Sequence, residues 1–66
     1  MRVSWMEISI LMAKQGLSAK QLATIAGIHV NTVYMVKKRG SATPCIVGKI
    51  AWALEVEPEQ IVIYEE

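Results

Sequence analysis

Apolar residues recur along this chain at helical rather than strand spacing. Trp5, Ile8, Leu11 and Met12 fall at i, i+3, i+6 and i+7, one buried stripe of a helix. Ser4 with Glu7 forms a capping-box pattern before that stripe, and Gly16 supplies the left-handed residue that closes it. These signals predict a helix over about 4–15, preceded by a frayed or extended lead-in at Met1 to Val3. Ser18 and Gln21 open a second helix over 18–26, with Leu22, Ala23 and Ala26 facing inward. A third follows over 29–38, where Val33 and Val36 face the core and Val30, Asn31, Tyr34 and Met35 point outward. Thr43-Pro44 is a strong start for a fourth over 44–54, because the missing N–H of proline costs nothing at the first helical position. Gly48 inside it reads as a close-packing position. Glu57-Pro58-Glu59-Gln60 opens a fifth helix over 58–63, although the apolar run Ile61 to Tyr64 also suits a short strand. The expected fold is an all-α bundle of four to five helices in one domain, residues 1–66.

The stretch from Leu17 to Arg39 organises the rest. Ala23 is small enough for two helices to cross steeply with their backbones close. Gly27 permits positive φ at the turn between them, and Ile28 anchors that turn in the core. Two helices joined this way form a helix-turn-helix, which presents its second helix to a DNA major groove. Lys37, Lys38 and Arg39 then follow the outward-facing residues of that second helix, either as phosphate contacts or as solubilising cations that offset the helix dipole.

Charge distribution sharpens this picture more than composition does. The net charge is +1, but residues 1–54 hold all seven cations and one acid, a net of +6. Residues 55–66 hold five acids and no cation. A basic body with an acidic tail suggests a polyanion on one side. The apolar fraction of 53% is enough for a core without staples. Cys45 is the single cysteine, so an intrachain disulfide is impossible, a metal site lacks its usual partners, and a reducing cytoplasm is expected. The apolar runs are too short for a membrane span, and no signal-peptide pattern opens the chain.

Leu17-Ser18, Leu22-Ala23, Gly27-Ile28, Thr32-Val33 and Gly40 resemble the L-T-x-x-x-L-A-x-x-x-G-V-x-x-x-T-I pattern and following glycine of the lambda-repressor-like, Cro or XRE helix-turn-helix family. Pro44, Lys49-Ile50-Ala51, Ala53-Leu54, Val56 and the PEQI segment look like the fourth and fifth helices of that family. The resemblance covers roughly residues 5–63 and implies double-stranded DNA as the partner. It places Val30 and Asn31 at positions that read base edges, Met35 at a third such position, and His29 at a neighbouring one near bases or phosphate. Asn31 suits adenine, whose N6 and N7 its amide can pair with; Val30 offers apolar contact, for instance to a thymine methyl. Ser18 and Ala19 open the helix whose N-terminus approaches a phosphate. Lys20, Thr32, Tyr34, Lys37, Lys38 and Arg39 complete the candidate phosphate contacts. His29 and Asn31 are also candidate caps of the third helix, and Tyr34 can pack on the rim instead. Ala19 replaces a common Gln, Met12 and Lys37 stand where an Arg–Glu pair is frequent, and Gly40 falls one residue late.

Catalysis is not expected. The chain has one His, one Cys, no Asp and no nucleotide-binding glycine fingerprint. No cofactor, metal or small-molecule ligand is implied. The expected function is a sequence-specific DNA-binding regulator, a small repressor of phage or mobile-element type, acting as a homodimer at least on DNA. Trp52, Ile61, Val62, Ile63 and Tyr64 are the candidate dimer seam. The alternative is a protein-interaction module (antitoxin, adaptor or inhibitor) using the same fold without DNA activity of its own.

Overall fold

Each helix starts where a side chain accepts an N–H that the helix itself leaves unpaired. In the computed structural model, which describes residues 1–64, there are four: α1 (Trp5–Gln15), α2 (Ala19–Ala26), α3 (Val30–Arg39) and α4 (Pro44–Ala53). Glu65 and Glu66, the end of the expected domain and of its acidic tail, lie outside the described residues. Ser18 Oγ accepts from the Gln21 N–H at 3.2 Å, and Gln21 Oε1 accepts from the Ser18 N–H at 2.9 Å, a complete capping box. His29 Nδ1 accepts from the Asn31 N–H at 3.1 Å, and Thr43 Oγ1 from the Ile46 N–H at 3.4 Å. At Ser4 half of the box forms. Ser4 Oγ accepts from Glu7, but the Ser4 N–H donates to the Ile61 carbonyl at 2.8 Å and is unavailable to the Glu7 carboxylate.

The first three helices end on left-handed glycines, Gly16, Gly27 and Gly40. A side chain at Gly27 would meet nothing within 4 Å, so its φ of 74°, not crowding, reserves the site for glycine. The fourth helix has no such glycine. Glu55 takes φ 59° there, and Gln15 Nε2 closes the end by donating to the Leu54 carbonyl at 2.6 Å.

Gly48 corrects an expectation. A Cβ built on it has nothing within 4 Å, so it is not a close-packing position, and its φ is not left-handed. Gly48→Ala therefore removes unfolded-chain entropy without creating a clash. It should stabilise the domain by about 1 kcal/mol and raise the thermal midpoint by about 4–8 °C, measured by circular dichroism.

Helix α2 packs on α3 and on α4, and α4 packs on the segment after it. The core gathers Ile8, Leu11 and Met12 from α1, Leu22, Ala23 and Ala26 from α2, Val33 and Val36 from α3, and Val47, Ile50 and Ala51 from α4. Val3 and Ile61, from outside the helices, belong to it as well.

The expected fifth helix over 58–63 is shorter than those bounds and of 3-10 type. Pro58–Gln60 makes a single 3-10 turn, and the chain then extends. The Ile63 N–H donates to the Arg2 carbonyl at 2.9 Å, and Val3 bridges Val62 in antiparallel register, which captures the chain before a second turn can form. Three β-branched residues in succession favour that extension. On the other edge of the lead-in, Arg2 bridges Ser41, the Val3 N–H donates to the Gly40 carbonyl at 2.9 Å, and the Met1 ammonium donates to the Ala42 carbonyl at 2.8 Å. Met1 to Val3 is thus an extended segment, laid between the α3–α4 connection and residues 61–63.

Candidate nucleic-acid interface

A cationic, outward-facing helix held from behind by a close partner is what the packing produces. Ala23 of α2, 2% exposed, lets α2 and α3 approach, while Val33 and Val36 fix one side of α3 in the core. The opposite side carries Asn31, Tyr34 and Met35, all exposed, and Lys37, Lys38 and Arg39, exposed in the last turn. Val30 is half-buried and packs against the core, so less of it faces outward than its spacing suggested.

His29 serves as the N-cap of α3. Its Nδ1 is taken up by the hydrogen bond from the Asn31 N–H, which leaves Nε2 as the ring nitrogen available to a partner, and the residue is exposed. The Asn31 side-chain amide has no hydrogen-bond partner among the described residues, which leaves both its donor and its acceptor free. At the start of α2, Ser18 and Lys20 are exposed and Ala19 is half-buried against the core; Thr32, on α3, is half-buried.

Two grooves flank α3. One, of about 590 Å³, runs between α3 and the start of α4, and is lined by Asn31, Thr32, Met35 and Arg39 facing Thr43, Pro44 and Ile46. It brings two candidate base readers, Asn31 and Met35, and two candidate phosphate contacts, Thr32 and Arg39, onto one wall. The other, of about 320 Å³, lies between α1, the start of α2 and α3, and holds Tyr34, Lys37 and Ala19 together with Trp5 and Ser9. The spacing of α1 gave Trp5 to the core stripe and gave Ser9 no role. That they line one groove with Lys37 depends on how the helices pack, which no local pattern encodes.

The candidate seam residues divide. Trp52, Ile63 and Tyr64 are 71%, 41% and 72% exposed, and Val62 is half-buried in its bridge to Val3. Ile61 is 0% exposed and belongs to the core, so it is withdrawn from any seam. Among the described residues no cluster of three or more potential ligands could hold a metal, and no helix is long and apolar enough to cross a membrane.

A model of the Cro/C1-type helix-turn-helix DNA-binding domain matches residues 7–66. The chain belongs to this family. The matched residues include α2, α3 and the turn between them. Two solved structures are similar over the whole of the chain: PhpD with cadmium complexed with hydroethylphosphonate, and native PhpD with cadmium atoms. Each has a TM-score of 0.84 at 24% identity, a likeness of fold. This chain spans 14% of the length of those proteins, so the Cro/C1-type fold there is a small part of a larger chain. No curated protein matches it.

Proposed function

We propose that this Cro/C1-type domain is a sequence-specific double-stranded DNA-binding repressor of phage or mobile-element type, with α3 in the major groove. The observation that carries the reading is the unpartnered Asn31 amide at the start of α3, one helix length from three exposed cations at its end. A bidentate amide supplies sequence preference, and the cations supply affinity for any duplex. Val30, Met35 and the Nε2 edge of His29 are the further base contacts. Ser18, Ala19, Lys20, Thr32, Tyr34, Lys37, Lys38 and Arg39 hold the backbone. A two-fold dimer on half-sites about 34 Å apart would double the contacts that one domain makes. Trp52, Ile63 and Tyr64 are the exposed apolar residues available for its seam, with Val62 at the margin.

Selection of bound duplexes from a random pool tests the reading. The wild type should enrich a palindrome, whereas Asn31→Ala should bind the selected site about 5- to 100-fold more weakly and lose preference at the one base pair that Asn31 reads. Enrichment of the same palindrome by both proteins would remove Asn31 from the reading head.

A further inference from the structure

We propose that the DNA-binding surface extends onto α1, where Trp5 and Ser9 join Tyr34 and Lys37 in a receptor for one backbone phosphate. This rests on the proposed function, and adds Trp5 and Ser9, to which neither the family match nor the sequence assigns a contact, to the candidate phosphate contacts Tyr34 and Lys37.

The groove between α1, the start of α2 and α3 is lined by four residues whose side chains carry hydrogen-bond donors: Trp5 (indole N–H), Ser9 and Tyr34 (hydroxyls) and Lys37 (ammonium). No carboxylate lines it. None of these side-chain donors has a hydrogen-bond or ion-pair partner among the described residues. Met12, buried on the same wall, brings no counter-charge to Lys37. The groove therefore has donors and positive charge in excess and little to accept them, which suits an anion whose oxygens only accept. A base edge, which carries donors as well, suits it less.

Trp5 is half-buried, and a tryptophan so placed usually finds an acceptor for its N–H. The apolar walls lower the local dielectric and strengthen the attraction of the ammonium for a phosphodiester. Ala19 brings the start of α2 into the lining of the groove, and the same reading places the DNA backbone against that start. A phosphate seated there would be touched from three helices, which fixes the angle at which α3 enters the major groove.

The test uses the whole chain, the selected duplex, and copies of that duplex in which one phosphate at a time is a neutral methylphosphonate. Trp5→Phe keeps the ring and removes the N–H. It should weaken binding about three- to tenfold on selected and unrelated duplexes alike. That cost should vanish on the one duplex whose neutral phosphate faces the groove. Indole N–H resonances, assigned with the same variant, should show Trp5 shifting on adding duplex. An unshifted Trp5 resonance, or an equal Trp5→Phe cost on every methylphosphonate duplex, overturns the proposal while DNA binding stands. Inorganic phosphate alone shifting the resonance as far as duplex does would make this a free-anion site, and also overturns it. Absence of salt-dependent duplex binding by the wild type would instead sink the proposed function beneath it.

Discussion

Replacing Lys37, Lys38 and Arg39 together by glutamine should weaken binding to every duplex, selected or unrelated, by about 100-fold near physiological salt. The three cations are exposed in the last turn of α3, and none is held in an ion pair among the described residues. Their charge is therefore available to displace counterions from DNA. Each neutralised phosphate contact contributes about 0.9 to the slope of log affinity against log salt, so losing three should flatten it by about 2.7 per bound copy. Sequence preference should survive, since Asn31 and Met35 are untouched. The cations also oppose the dipole at the end of α3, so some stability is lost with them, at about 0.3–1 kcal/mol each. Thermal unfolding measured on the same samples separates that loss from binding. An unchanged salt slope would mean that this end of α3 does not lie on the backbone.

Charge placement also explains why a net charge of +1 is compatible with a polyanion partner. Glu55, Glu57 and Glu59 lie beyond α4 in the chain, and none of them pairs with Lys37, Lys38 or Arg39 among the described residues, so the cations of α3 keep their charge. Had the same residues been interleaved with Lys37 to Arg39, the field at α3 would have been lost with no change in composition.

What was legible in this sequence was local. Ser18 with Gln21, Thr43 with Pro44, and the glycines at 16, 27 and 40 carry their structural meaning within four residues, because caps and left-handed stops are short-range chemistry. The core sides of α1, α2 and α3 follow from helical spacing in the same way. The lead-in was not legible, because Met1 to Val3 is fixed by hydrogen bonds to residues some forty and sixty positions away, and its own composition is neutral between fraying and pairing. Gly48 was misread because a glycine inside a helix has the same appearance whether a neighbour crowds it or nothing stands there. Within the candidate site, Asn31 and the cations stood out by chemistry, while Trp5 and Ser9 needed the packing of the helices to bring them to the groove that Lys37 lines.

The segment 61–64 yields the sharpest contrast between a seam and a core. Four apolar residues in a row can lie against a second copy or against their own domain, and spacing alone does not choose. Ile61 is fully buried, and its carbonyl accepts the Ser4 N–H at the head of α1, whereas Tyr64 is 72% exposed. Ile61→Ala should therefore destabilise the domain by about 2–5 kcal/mol, through lost burial and the cavity left behind. A 66-residue domain has about 3–10 kcal/mol in all, so this variant should be close to unfolded at 37 °C. Tyr64→Ala should alter the stability of a monomer by no more than about 0.5 kcal/mol. Urea unfolding at several protein concentrations reads both effects. The Ile61 cost should be independent of concentration, while any cost at Tyr64 should grow with it if that residue lies in a seam. If Ile61→Ala is too unstable to measure, Ile61→Val should still cost about 0.5–1.5 kcal/mol. An unfolding midpoint matching the wild type in either Ile61 variant would mean that residue 61 does not hold the helices together, and would return it to the surface.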